Sequence, residues 1–346
     1  MAYVSLNSID EVTKEILKMM DVDKESISII LDTIHYANCR GIPTHGIGRL
    51  PLYVKKIRCG HFNPKSKIDI VSDFGATAVL NAHNGFGQVA AHQAMKLAIE
   101  KAKHFGIAAV GVRNSNNFGA AGYFGTMATE AGMAAIIFAN AAPAIAPTGG
   151  NKPIFGTNPI CYAFPGGIHR NPVILDMATT VAARGKIRLS AKNGEKIPFG
   201  WALDEEGSPT DDPNKALNGT LLPIGGYKGY GLSMFVDLFA GVLTGSASMG
   251  NVKPLSEMEM DSKNGHMFIV INVSHFMNIN ELSQKMNQFY DAVKACGEEG
   301  RILLPGERGD SQERKNIKAV TIPDRQWQEI NELAKELGVA ARLEIA

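Results

Sequence analysis

Over the first twenty residues apolar side chains recur at Val12, Ile16 and Met20, the spacing of an amphipathic helix. Ser8 and Glu11 stand at capping-box spacing ahead of them, which sets the start of that helix near residue 9. A second helical pattern covers about 24–40 and stops at Gly41. In "GIPTHGIGRLPLYVKKIRCG" Pro51 is tolerated only in a helix's first turn, so the pattern predicts a third helix from near Gly48 to near Gly60. The period then changes. "KIDIV" and "ATAVLNA" look like strands, and "GQVAAHQAMKLAIEKAKHFG" like an amphipathic helix. The apolar "IAAVGV", the polar "RNSNNFGAAGYF", the helix-like "GTMATEAGM" and the apolar "AAIIFAN" read as strand, turn, helix and strand.

Short strands follow at "NPICYAF" and "PVILDMA". Residues 189–226 are polar and turn-rich, so little regular structure is expected there. A loop of that length is usually functional or mobile. "GYGLSMFVDLFAGVLTG" is an apolar helix, "HMFIVINV" a buried strand and "INELSQKMNQFYDAVKACG" a helix, with a last helix near 324–337. The organisation expected is a helical N-terminal unit (1–62), a mixed-sheet core for cofactor and substrate (63–310), and a C-terminal helical segment (311–346) packing on the N-terminal unit. Strands interspersed with helices argue for a mixed α/β class. A Rossmann fold fails on the residues. No G-x-G-x-x-G opens a helix, and "AAIIFAN" ends in Asn140 rather than in an acidic residue for a ribose.

Composition narrows the function classes. With 35 Lys and Arg against 34 Asp and Glu among 346 residues, there is no general attraction to nucleic acid or to an anionic membrane. Cys39, Cys59, Cys161 and Cys296 lie far apart with no ligand spacing, which argues against structural zinc and a disulfide framework. The first twenty residues lack the basic and apolar regions of a secretory signal, and no run reaches 18 apolar residues, so a cytoplasmic protein is expected. His83, His92, His104, His169, His266 and His275 show no spacing for a shared metal and are read as surface or satisfied core residues; no metal is expected. No nucleophile elbow, HExxH or EF-hand loop is present.

Five stretches could carry chemistry. In "THGIGR", His45 and Arg49 stand at the start of the third helix, where a guanidinium can grip a carboxylate while an imidazole moves a proton. A capped helix start with a surface arginine has the same appearance. "GGYKGYGLSM" frees backbone N–H groups around Lys228 for a phosphate or carbonyl, or is a structural turn. In "LDMATT", Asp176 ends an apolar strand and is placed to orient a histidine, hold a ligand hydroxyl or cap a helix. "LLPGERG" is a Pro-Gly turn. Finally, Asn114, Ser115, Asn116 and Asn117 crowd one turn, and Gly119, Gly122 and Gly125 recur at every third position behind it. Glycines there destabilise a helix unless another surface comes very close.

Together, "THGIGRLPLY", "RNSNNFGAAGYF", "GTNPICYAFP", "LDMATT", "GWALDEEGSPTDDPNKAL", "GGYKGYGL" and "LLPGE" resemble, in this order, the malate/L-lactate dehydrogenase family of non-Rossmann type, which includes L-sulfolactate and ureidoglycolate dehydrogenases. The resemblance implies an L-sulfolactate dehydrogenase-like fold and a homodimer that interconverts a 2-hydroxy acid and a 2-oxo acid with NAD or NADP. The substrate implied is malate, lactate or a sulfolactate-like acid. By resemblance His45, Arg49, Asn117 and Asp176 fall at catalytic positions, with Arg49 as carboxylate clamp, His45 as proton donor and Asp176 holding the imidazole or the cofactor. Asn158, Asp176, Met177, Ala178, Thr179, Lys228, Pro305, Gly306 and Glu307 fall where the cofactor is lined. The family usually carries a histidine where Asn117 stands, and asparagine cannot relay a proton near neutral pH. Two other readings follow from the same residues: a reductase of cyclic imino acids, and a dinucleotide-binding dimer that has lost catalysis.

Overall fold

A computed structural model describes residues 1–298 and 300–346. Its chain begins as a strand, β1 (Ala2–Ser5), paired antiparallel with Ala319–Ile322 near the other end of the sequence. α1 (Leu6–Met19) therefore starts at Leu6, not near residue 9. Ser8 lies inside its first turn, where its hydroxyl donates to Ser5 O at 2.8 Å and accepts from Glu344 N at 3.0 Å, so it anchors the C-terminal tail instead of capping. α2 (Lys24–Cys39) is capped by Asp23, whose carboxylate accepts from Ser26 N at 2.9 Å. A 3₁₀ turn (Ile47–Arg49) leads into α3 (Leu50–Arg58), with Pro51 in the first turn as the sequence demands.

The strands β2 (Asp69–Phe74) and β3 (Thr77–Asn81) follow, then α4 (Gly87–Phe105), β4 (Ile107–Ser115), α5 (Ala121–Glu130), β5 (Met133–Ala139), β6 (Ile160–Phe164) and β7 (Val173–Met177). Residues 189–226, expected to be irregular, instead belong to a small folded unit: α6 (Arg184–Asn193), β8 (Ala202–Leu203), β9 (Pro209–Thr210), α7 (Pro213–Asn218) and β10 (Thr220–Leu221), in a sheet of order β10-β8-β9. Two-residue strands are too short to show alternation, and the core of this unit (Ile187, Ile197, Ala202, Ala216 and Leu221) is scattered among polar residues. α8 (Tyr227–Val236) continues as a π-helical stretch (Asp237–Val242), followed by β11 (Asn264–Asn272), α9 (Ile279–Lys294), α10 (Glu307–Lys315), β12 (Ala319–Ile322) and α11 (Asp324–Glu336). α10 lies in a stretch that the sequence showed only as a turn. Val320, Ile322, Ile330 and Leu333 share one apolar cluster with Ile9, Val12, Ile16 and Ile30, so the C-terminal segment packs on the N-terminal helices. None of the described helices is long and apolar enough to cross a membrane.

The main sheet has seven strands in the order β2-β3-β4-β11-β5-β6-β7. β3 and β4, joined through α4, run parallel, and every other neighbouring pair is antiparallel. This is the mixed sheet expected from the sequence. α4 brings Ala90, Ala91, Ala94 and Ala98 onto Val110, Val112, Phe268 and Val270, small side chains that let the helix axis come close to the strands. α5 comes closer still. A Cβ on Gly125 would stand 3.0 Å from Ala163 Cβ and 3.2 Å from Cys161 Sγ, and one on Gly122 would stand 2.5 Å from Tyr36 Oη. Gly119 answers to a different constraint: its φ of +85° precedes the helix, in the left-handed region.

His266 lies in the central strand β11, fully buried, its ring stacked on Phe118 at 4.6 Å with 1° between the planes. Its Nε2 is 2.9 Å from Ser115 Oγ, and its Nδ1 has no partner among the described residues. Burial pushes this imidazole down to about 3 from 6.5, so the fold holds it neutral. The unfolded chain then binds a proton that the folded chain refuses between those two values. The corresponding stability is complete above pH 6.5 and is lost as pH falls toward 3. His266→Gln should therefore flatten the acid limb of unfolding free energy against pH, measured by urea titration from pH 7 to 4. Equal slopes in both proteins would contradict a buried neutral ring.

Candidate active site

A cavity of about 420 Å³ opens between the loop ahead of α3, the turn after β4, the ends of β5 and β7, and α6. Each wall owes its position to a local constraint. The loop bearing His45 is closed by His45 N donating to Ile42 O at 3.0 Å. Asn38 of α2 then accepts Ile47 N at 3.2 Å, and a Cβ on Gly46 would stand 1.8 Å from that same Asn38 oxygen. Only glycine lets the loop lie against α2. Arg49 folds back over the loop, its Nε donating to Thr44 O at 2.5 Å.

Burial, with the Arg49 charge adding to it, pushes the His45 imidazole down to about 3. It is neutral near pH 7. Its buried Nδ1 has no partner among the described residues, an atom a bound molecule could satisfy. Burial also lowers Arg49, Tyr53 pulls it up and the Arg188 charge lowers it further.

The asparagine-crowded turn proves to be mainly a fastening. Asn116, fully buried, donates from Nδ2 to Asn84 O at 3.0 Å and Gly85 O at 2.9 Å. Asn114, at φ +51°, donates to Asn81 Oδ1 at 3.2 Å, and Ser115 engages His266. A Cβ on Gly87 would stand 2.2 Å from Asn116 O, so the start of α4 presses against the same turn. Of the four polar residues, Asn117 faces the cavity. Its Oδ1 accepts Gly119 N at 3.2 Å, which leaves Nδ2 as a donor toward a ligand.

Asp176, at the end of β7, corrects one expectation. Its Oδ2 accepts Gly122 N at 2.8 Å at the start of α5, and no hydrogen bond joins it to His45 among the described residues. The carboxylate caps a helix instead of orienting the imidazole. Burial raises its pKa, and the Gly122 and Ala121 amides pull it back down.

The cavity thus brings together His45, Arg49, Asn117, Asp176, Met177 and Ala178. Thr179 and Asn158 lie behind its wall: Thr179 N and Oγ1 donate to Thr157 O, and Asn158 bridges Ala141 N and Ser233 O. Lys228 stands apart on the exposed first turn of α8. Pro305 runs beside β7, accepting Ile174 N at 3.1 Å, while the Gly306 carbonyl takes Arg40 and Glu307 pairs with Lys294. Among the described residues no group of three or more His, Cys, Asp or Glu could hold a metal ion.

The sequence reading missed Asn140, Asn264, Arg184, Arg188 and His266, all of which line the cavity. Arg184 and Arg188 carried a signal, four residues apart on one helical face, but no helix was expected there. His266 looked like part of a buried strand, which it is.

A family model described as malate/L-lactate dehydrogenase matches residues 4–331. L-sulfolactate dehydrogenase from Methanothermobacter thermautotrophicus is 39% identical over 330 residues, covering 95% of both chains. Malate dehydrogenase from Pyrococcus abyssi is 39% identical and covers 94% of this chain and 92% of its own. The solved structure of sulfolactate dehydrogenase from Methanocaldococcus jannaschii superposes with a TM-score of 0.91 at 38% identity, over 97% of this chain and 98% of that one. Relatives at this level are dehydrogenases, which favours neither an imino-acid reductase nor a degenerate binder. With a matching mixed sheet, a cavity lined by imidazole, guanidinium and carboxylate, and near-complete coverage, the chain belongs to the malate/L-lactate dehydrogenase family and is an oxidoreductase.

Proposed function

We propose that the protein interconverts a malate- or sulfolactate-like 2-hydroxy acid and its 2-oxo acid, using NAD or NADP. The observation that carries this reading is the convergence of the Arg49 guanidinium, the neutral His45 imidazole and the Asn117 amide on one enclosed space. Arg49 holds the substrate carboxylate through a two-pronged, charge-assisted contact. Asn117 donates to the oxygen at C2. His45, neutral as the fold leaves it, accepts the hydroxyl proton during oxidation and returns it during reduction. In the reduction direction the bound acid's negative charge favours the protonated ring.

A nicotinamide cofactor supplies the hydride when bound. The residues present fit one. Gly225 and Gly226 take φ of +59° and +63°, and nothing lies within 4 Å of a Cβ built on Gly226. Gly226 N donates to Pro223 O at 3.3 Å, so it is the exposed Lys228 ammonium, with open space beside it, that suits a phosphate. Met177 and Ala178 line the cavity itself and would hold the cofactor's reacting end, with Asn158 and Thr179 supporting them and Pro305–Glu307 flanking β7.

A homodimer forms part of the same reading. Phe235, Leu238, Val242 and Leu243 present a continuous apolar face at helical spacing, with Leu243 63% exposed. A second copy covers such a face through a self-complementary contact. The chain is expected to sediment as a dimer and Leu243→Glu as a monomer; a monomeric wild type would remove this partner.

Oxidation of NADH or NADPH with a panel of 2-oxo and cyclic imino acids tests the reaction, and no turnover on any 2-oxo acid would refute it. His45→Gln should lower kcat by roughly 100- to 10,000-fold. Because the His45 pKa lies at about 3, kcat/KM for hydroxy-acid oxidation should stay level through pH 6.5 instead of falling there. Arg49→Lys keeps the charge but loses the fork, and should reduce kcat/KM for the oxo acid by about 1.5 to 3 kcal/mol. The KM for NADH is expected to hold; a shared loss would place Arg49 on a phosphate instead.

A further inference from the structure

Three guanidinium groups line the cavity, from Arg49, Arg184 and Arg188, against one carboxylate, Asp176. Among the described residues none of the three arginines forms a salt bridge, and Asp176 is engaged by the Gly122 amide. With Asp176 ionised, two positive charges remain unmatched. The arginines are not equivalent. Arg184 is a strut, donating to Pro143 O at 3.0 Å and Leu217 O at 2.7 Å, and so ties α6 to its own small unit. Arg49 is folded over the Thr44 carbonyl. Arg188, one helical turn beyond Arg184, lines the same cavity and donates no hydrogen bond to a described residue. Its charge opposes both others, lowering Arg49 and Arg184. A monoanionic acid on Arg49 would leave that repulsion half relieved, whereas a dianion matches it.

We propose that Arg188 determines specificity by receiving the second acid group, carboxylate or sulfonate, of a dianionic 2-oxo acid whose first carboxylate lies on Arg49. The inference rests on the proposed reaction and goes beyond it, because it assigns the choice between diacids and simple 2-oxo acids to a residue of the small unit covering the cavity. The physical basis is asymmetry. A diacid satisfies the guanidinium with charge-assisted hydrogen bonds, while a methyl group in its place leaves it unpaired. Arg188 is exposed on its helix, so its replacement leaves the fold in place.

The test compares wild type, Arg188→Gln and Arg188→Lys on oxaloacetate, sulfopyruvate and pyruvate. In Arg188→Gln the ratio of kcat/KM for either diacid to that for pyruvate should fall by roughly 10- to 100-fold, the scale of a charged hydrogen bond. Arg188→Lys should recover part of it. A larger fall for one diacid identifies whether carboxylate or sulfonate is the group received. An unchanged ratio, an equal loss on all three acids, or a loss appearing in the KM for NADPH would overturn the assignment, the last by placing Arg188 on a cofactor phosphate. Calorimetric titration of malate and lactate separates this proposal from the reaction itself. If the wild type reduces none of the acids, the dehydrogenase reading fails. A preference for malate that Arg188→Gln abolishes would still support the second-acid site, and a preference absent from the wild type or retained in the variant would refute it.

Discussion

One carboxylate at the end of β7 ties the molecule together. Asp176 accepts the Gly122 amide at the first turn of α5, and the absence of a side chain at Gly122 leaves room for Tyr36 of the N-terminal unit, whose hydroxyl would stand 2.5 Å from an added Cβ. Sheet, helix and N-terminal unit meet at that point. Arg40 lies over the Tyr36 ring at 5.0 Å, pairs with Asp310 at 2.5 Å and Glu313 at 2.7 Å on α10, and donates to the Gly306 carbonyl. The C-terminal segment is thus drawn into the same contact. A larger residue at Gly122 would push apart the elements that carry His45 and Asn117 on two sides of the cavity.

The electrostatics of the cavity follow from this tight assembly. Its imidazoles, at positions 45 and 266, are held neutral by burial, and its guanidiniums face one another with a single carboxylate in reach. Such a site carries unmatched charge, because burial takes water from Arg49 and Arg184 and leaves them only backbone carbonyls as partners among the described residues. An anion relieves it. The arrangement therefore favours binding of acids before any chemistry is considered, and it keeps two neutral rings in their midst.

Asn117 places an amide, not an ionisable group, at the cavity wall. The turn around it is fixed by Asn114, Ser115 and Asn116, which bind backbone and side chains of neighbouring loops. Asn117 can then present one oriented amide, its oxygen already engaged by Gly119. In the proposed reaction proton movement falls to His45, on a different element. The proposed mechanism thus divides polarisation and proton transfer between two loops, and the position of α5 relative to the N-terminal unit sets the spacing between them.

Much of this was legible in the chain itself. Periodicity located the N-terminal helices, the strands on both sides of the asparagine turn and the last helix, because these elements are long enough to repeat their burial pattern several times. The recurring glycines implied a close surface, and "THGIGR" allowed an anion site or a capped helix start, since these follow from backbone freedom and local charge. Other features depended on residues far apart in sequence. β1 pairs with a strand more than 300 positions away, Ser8 takes a partner at Glu344, and the small unit of α6 to β10 has strands too short to show a period. Asp176 could equally have met a helix start or an imidazole, and Arg188 could equally have met water. A side chain's type and spacing determine which interactions it is able to make, but its partner is decided by which distant surfaces the packed core brings within about 3 Å, the length of a hydrogen bond.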